Sequence, residues 1–288
     1  VAAFGLPLFL LRLTIMELFD QINESASFIA SRIAHGNPEI AIILGSGLGA
    51  LADLLEQAIV IPYKEIPNFP VTTVKGHKGR LLYGKLHGKE LLLMDGRFHY
   101  YEGNTVKDVT FPVRVMKALG IKTLLLSNAA GGTNISFRAG DLMVITDHIN
   151  LLPEHPLRGT NDERLGVRFP NMSNAYNASL ITLAKEAASS LNIPLREGVY
   201  VGLQGPSFET RAEYKFIARI GGDAVGMSTV PEVIVARHAG IEVFAISVIA
   251  NIGIQDTHFE TTHEEVLDAV SSASPKMAAL ISEMIKSI

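Results

Sequence analysis

Two spacings of apolar residues alternate along this chain. Leu18, Ile22, Ile29 and Ile33 recur at helical intervals, and Gly36-Asn37-Pro38 stops the helix they predict. A short β-branched run over 40–44 follows, with a helix expected over 48–55. The runs 81–86 and 90–94 flank His87-Gly88-Lys89 and read as a hairpin. A helix is predicted over 106–119, then strands over 121–126 and 142–146. The polar stretch 150–174 reads as a long loop, a length usually spent on binding or on packing against a neighbour. Beyond it the pattern predicts a helix over 180–191, a strand over 198–203, a helix over 210–220 and a strand over 224–227. Pro231 suits the first turn of the next helix. A long apolar strand covers 241–249, and one terminal helix runs from Thr262 onward.

Strands alternate with helices throughout, no linker divides the chain and no internal repeat is present. The expected fold is therefore one α/β domain over 16–288, a central mixed but largely parallel sheet flanked by helices. Val1 to Leu13 are almost wholly apolar with Arg12 inside, a run too short to span a bilayer and without the flanks of a secretory signal, and residues 1–15 are set apart on that ground. They read as an extension with no assigned role, and a cytoplasmic location is expected.

Composition narrows the function. The 288 residues are 48% hydrophobic and 19% charged, more apolar than an average globule, which suits a fully covered sheet or an interface between copies. A net charge of -4 argues against nucleic acid as a partner, since a binder would need a basic face. With no Cys and no metal-ligand spacing among nine His, neither thiolate chemistry nor a metal is expected.

Four apolar runs end in Gly-rich or polar clusters: Gly45-Ser46-Gly47-Leu48-Gly49, Gly96-Arg97-Phe98-His99, Asn128-Ala129-Ala130-Gly131-Gly132 and Gly226-Met227-Ser228-Thr229. Each run reads as a buried parallel strand, and the carboxyl ends of such strands are where open α/β sheets bind ligands. Backbone N–H groups, two hydroxyls, a guanidinium and an imidazole converging there would cradle a small oxyanion. Arg97 and His99, two residues apart in extended chain, share a face and give a planar fork beside a second donor. His77 is a further candidate donor. The first cluster lacks the G-x-G-x-x-G spacing of a dinucleotide site and, alone, is equally a tight turn. Glu209 could interact with a helix N-terminus or accept hydrogen bonds from a nitrogen heterocycle, with Phe208 offering a face to stack on. Asn251, one donor and one acceptor at a strand end, suits a ring edge or a buried bridge between backbone groups.

Taken together, Gly-Ser-Gly-Leu-Gly (45–49), Gly-Arg-Phe-His-Tyr-Tyr-Glu-Gly (96–103), Asn-Ala-Ala-Gly-Gly (128–132), Gly-Pro-Ser-Phe-Glu-Thr (205–210) and Val-Gly-Met-Ser-Thr-Val-Pro-Glu (225–232) resemble the trimeric class of purine nucleoside phosphorylases. The likeness runs from about Met16 to the C-terminus. It implies phosphorolysis of a purine nucleoside to free base and ribose 1-phosphate, with inorganic phosphate as co-substrate, no cofactor and a homotrimer. By resemblance Ser46, His77, Arg97, His99, Ala129 through its backbone N–H, and Ser228 hold phosphate. Tyr101, Met227 and His263 line the ribose, while Phe208, Glu209 and Asn251 hold the purine. Asn251, Glu209 and His99 are expected to act in catalysis.

Asn251 favours 6-oxopurines, because an amide can donate to a 6-oxo group. Methylthioadenosine phosphorylases, close relatives, carry Asp at the comparable point and are the nearest rival reading. Three departures from related enzymes bear on detail. Leu165 stands where a Phe often reaches a neighbour's ribose site, Ile252 replaces a Lys, and Ala250 lacks a hydroxyl. A nicotinamide-dependent oxidoreductase and a non-catalytic nucleoside binder are the alternatives from other classes.

Overall fold

The computed structural model describes residues 16–34, 36–46, 48–72, 77–254 and 262–288. The extension expected over 1–15 lies outside the described residues. Helix α1 (Leu18–Arg32) buries Ile22, Ser25, Ala26 and Ile29 along one face. Strand β1 (Ile40–Ile43) follows, then a 3₁₀ turn over Gly49–Leu54 where a fuller helix was expected, and edge strand β2 (Glu56–Pro62). Strands β3 (Arg80–Leu86) and β4 (Lys89–Asp95) form the expected hairpin. Its turn residues His87 and Gly88 both have positive φ, the conformation that matches strand twist in a two-residue hairpin.

Helix α2 (Val106–Ala118) opens on a capping box between Thr105 and Asp108. Then come β5 (Thr123–Gly132), β6 (Leu142–Asn150), α3 (Ala178–Ser190), β7 (Leu195–Gly202), α4 (Arg211–Arg219), β8 (Ala224–Gly226), α5 (Val230–His238), β9 (Glu242–Ile252) and α6 (His263–Ser287). The nine strands are ordered β2-β3-β4-β1-β5-β8-β7-β6-β9, and β9 pairs back onto β5. Five of them thus close into a ring beside an open wing of four. The wing is mixed: β4, β1 and β5 run parallel, while β2, β3 and β4 alternate.

The central strands are apolar on both faces because both faces are covered. Leu91, Leu92, Leu93, Leu124, Leu125 and Leu126 are all 0% exposed. One side packs against α1, α2 and α5, the other against α3 and α6. Among the described residues no helix is long and apolar enough to cross a membrane.

Two sequence expectations are corrected. Asn128 to Gly132 is not a turn after β5 but its second half. Asn128, Ala129 and Ala130 pair in parallel with Ser247, Val248 and Ile249 of β9. After a register shift Gly131 and Gly132 pair with Asn251 and Ile252, and on their other edge with β8. The strand before Met227 was expected to be parallel throughout, yet β8 is antiparallel to β5 and parallel only to β7. Ring closure forces both: the last residues of β5 are the seam that β8 and β9 share.

Candidate active site

At the carboxyl ends of β1, β4, β5, β8 and β9 lies a cavity of about 530 Å³. Ser46, Arg97, His99, Tyr101, Ala129, Phe208, Glu209, Met227, Ser228 and Asn251 all line it. The predicted residues therefore come together from six separate stretches of chain. His77 stands behind Ser46, its Nε2 2.9 Å from the hydroxyl. His263 opens α6, but its side chain lies outside the described residues.

Arg97 organises one end. It is only 2% exposed, and Nη1 donates to Ser228 Oγ at 2.7 Å and to Thr229 Oγ1 at 3.1 Å. Nη2 donates to the carbonyls of Ser127 at 2.8 Å and Ile43 at 3.4 Å. A planar fork of fixed hydrogens lets one side chain tie β1, β5 and the β8–α5 junction together, which no lysine could do. Thr229 Oγ1 also accepts from Asn128 Nδ2 at 2.8 Å. Thr229 has φ +72°, a costly conformation for a β-branched residue, held here by those bonds and by the helix that follows it.

Three aromatic rings stack along one wall. His77 and His99 have centroids 5.3 Å apart, and His99 and Tyr101 4.6 Å apart. His99 Nδ1 is 3.2 Å from a carboxylate oxygen of Glu102, which also accepts from the His99 backbone N–H at 2.8 Å. The Glu102 backbone N–H also points at the His99 side chain, so Nδ1 faces an acceptor and a donor of the same residue, and the tautomer follows whichever contact prevails. His77 is placed alike, with Nδ1 2.9 Å from the carbonyl of Arg97 and 3.2 Å from the Arg97 backbone N–H, a donor. Burial, then the neighbouring His99, pushes His77 down to about 4. Burial likewise lowers His99, against the opposing pull of Glu102.

Glu209 and Asn251 occupy the other end. Glu209 precedes Thr210, whose capping box with Glu213 starts α4, so the carboxylate is set by a rigid helix terminus. Burial raises its pKa, while hydrogen bonds from the backbone and from Tyr214 pull the other way. Asn251 sits in the last turn of sheet before β9 ends. Phe208 is 43% exposed at the mouth, an available face.

Sequence reasoning missed Glu102, Thr229, Glu232 and Tyr214. Glu102 lies three residues after His99, a spacing that could have been read as a partner for the ring. Glu232 and Tyr214 meet the site only through tertiary contacts. Leu165 packs against its own core, with its N–H donating to Asp162 O at 2.9 Å and its carbonyl accepting from Arg114 at 3.3 Å. Among the described residues no group of His and carboxylates could hold a metal ion.

Residues 39–286 match the Phosphorylase superfamily. The chain is 52% identical to purine nucleoside phosphorylase 1 of Geobacillus stearothermophilus over 267 residues, 93% of this chain and 97% of that one. Among solved structures it resembles Schistosoma mansoni purine nucleoside phosphorylase in complex with inosine, with TM-score 0.88 and 42% identity, covering 93% of this chain and 96% of that chain. The Schistosoma mansoni enzyme in complex with adenosine matches with TM-score 0.88 and 43% identity over the same shares.

Proposed function

The chain belongs to the phosphorylase superfamily, among its purine nucleoside phosphorylases, and on that premise we propose that it cleaves 6-oxopurine nucleosides such as inosine and guanosine at the cavity described above. The observation that carries this reading is the polarity of that one cavity. All of Ser46, Arg97, His99, Ser228, Glu209, Asn251, Tyr101, Met227 and Phe208 line it, and two bonded groups stand out, Arg97 with Ser228 and Tyr214 with Glu209 and Asn251. Its length and chemistry suit a phosphate, a pentose and a purine in line.

Phosphate would share the Arg97 fork with the Ser228 hydroxyl and take a hydrogen bond from Ser46, whose oxygen would then accept from His77 Nε2–H while His77 Nδ1 accepts from the Arg97 N–H. The backbone N–H of Ala129 completes the cradle. In the tautomer with Nδ1–H on the Glu102 carboxylate, a hydrogen phosphate would donate its P–OH to His99 Nε2. The ion is then held against the buried Arg97 guanidinium beneath the sugar, poised to attack the anomeric carbon. As the C–N bond breaks, positive charge develops on the ribose and negative charge on the departing purine. The phosphate stabilises the first; Asn251, hydrogen-bonding the ring, stabilises the second, while Glu209 accepts from the pyrimidine edge. These contacts strengthen towards the transition state, which is what raises the rate. The bond from phosphate oxygen to the anomeric carbon replaces the bond to nitrogen, giving (deoxy)ribose 1-phosphate with inversion and, once the purine anion takes up the proton that hydrogen phosphate brought, the free base. No cofactor takes part in this scheme.

The same proposal includes a homotrimer in the cytoplasm. Val167 is 65% and Phe169 86% exposed in the helix-free and strand-free segment after β6, apolar area that a second copy would cover. Incubation with inosine, with and without phosphate, tests the function through hypoxanthine release. Release that does not depend on phosphate would refute it, and the mass in solution tests the assembly.

A further inference from the structure

We infer that Tyr214 is a positioning residue for purine recognition, its hydroxyl joining Glu209 and Asn251 into one hydrogen-bonded unit that sets how the Asn251 amide faces the base. The inference rests on the functional reading above and names a specificity device within that site.

Tyr214 lies on α4, five residues past Glu209, and is 4% exposed although it lines the cavity. Its ring is seated on bare backbone. A Cβ added to Gly253 would come within 2.1 to 2.3 Å of ring carbons, and one added to Gly131 within 2.6 Å of the hydroxyl. Two glycines from different segments thus form the slot, and the ring cannot shift without leaving it. The hydroxyl bonds both Glu209 and Asn251.

The direction of those bonds follows from proton count. Burial, reinforced by the Glu209 charge, pushes the phenol up to about 12, so it holds its proton at any working pH. It has one proton to give. An ionised carboxylate can only accept, so Tyr214 donates to Glu209. The Asn251 bond must then run from the amide NH₂ to the phenol oxygen. This fixes the rotamer choice between the amide's two ends: nitrogen towards Tyr214, with the second N–H and Oδ1 as the groups that address the purine. A dry chain of this kind also strengthens cooperatively. Charge gathering on the base as it leaves polarises Asn251, Tyr214 and Glu209 together.

Tyr214→Phe keeps the ring in its slot and deletes only the oxygen. In the full chain, with inosine and saturating phosphate, kcat/KM should fall about tenfold, the loss expected for one charge-assisted hydrogen bond. Without that donor Glu209 is harder to ionise, so the acid limb of the kcat/KM profile should move to higher pH. The KM for phosphate should stay within about twofold, since Arg97 and Ser228 are untouched. A variant with inosine kcat/KM within twofold of wild type and an unmoved acid limb would overturn the inference. So would equal losses for phosphate and inosine, which would mark Tyr214 as structural only. Wild-type protein that releases no hypoxanthine would overturn the functional reading itself, and this inference with it.

Discussion

Arg97 Nε lies 3.7 Å from Glu232 Oε1, with the two side chains only 2% and 3% exposed. Glu232 stands in the first turn of α5, where the helix dipole favours an anion. Neither of its oxygens has a hydrogen-bond partner among the described residues, so charge pairing is what it contributes. It lets a permanently charged guanidinium sit dry beside the cavity when no anion is there. A phosphate bound as proposed would then meet an arginine already in place.

Glu232→Ala should therefore destabilise the protein markedly. Removing one member of a buried pair strands the other and typically costs about 3–5 kcal/mol. Urea unfolding of wild type and variant without phosphate measures this. Added phosphate should recover part of the loss, since the anion replaces the missing charge. A loss under about 1 kcal/mol, typical of exposed pairs, would show that the two groups are not coupled.

Asn251→Asp should shift preference towards 6-aminopurines. The amide offers N–H to a 6-oxo group, whereas a carboxyl accepts from a 6-amino group. Wild type should turn over inosine with kcat/KM at least about tenfold above adenosine, and the variant should narrow or invert that ratio. Turnover is the right measure, because a related Schistosoma mansoni enzyme has been crystallised with adenosine as well as inosine. Equal wild-type values for the two substrates would remove the argument from Asn251.

What the sequence disclosed, and what it concealed, follows from the range of the interactions. Strands β4 and β5 are continuous apolar runs because both faces are covered, and local pattern suffices to find them. Strand β2 escaped notice: Glu56, Gln57 and Ala58 are exposed, and Gln57 has φ +53° at a bulge, so an edge strand carries little hydrophobic signal. That Ser46, Arg97, His99 and Ser228 would meet in one cavity was legible because they sit in short fixed strings. Glu232 and Tyr214 were not, because a helix residue's neighbours across the fold leave no mark in its own segment. The extension of β5 through Gly131 and Gly132 was hidden for the same reason. Glycine pairs usually punctuate chains, but here they admit Tyr214 and Ile252 against a strand.

Acid should weaken this fold through its buried imidazoles. His77 falls to about 4 on folding from an ordinary 6.5, and His99 moves the same way. The unfolded chain thus takes up protons below pH 6.5 that the folded chain refuses. Stability is full above 6.5 and declines as pH falls towards 4, at up to about 1.4 kcal/mol per pH unit for each such ring. Thermal midpoints across that window should drop less steeply for His77→Gln than for wild type. Parallel slopes would show that His77 protonates as readily in the folded state.

Gly253→Ala should reproduce the effect of losing the Tyr214 hydroxyl without touching Tyr214. A methyl at that position would lie 2.1 Å from the phenol ring carbon, far inside contact distance, so the ring must leave the slot. Glu209 and Asn251 then lose their shared partner together. Inosine kcat/KM should fall by at least as much as in Tyr214→Phe, while the phosphate KM stays near wild type. The decisive measurement is the double variant. If both changes act by dissolving one bridge, the second substitution has little left to remove, and the combined loss falls well short of the product of the two single losses. Independent, multiplicative losses would mean that Gly253 serves the site by another route and that the Tyr214 seat is not what it protects.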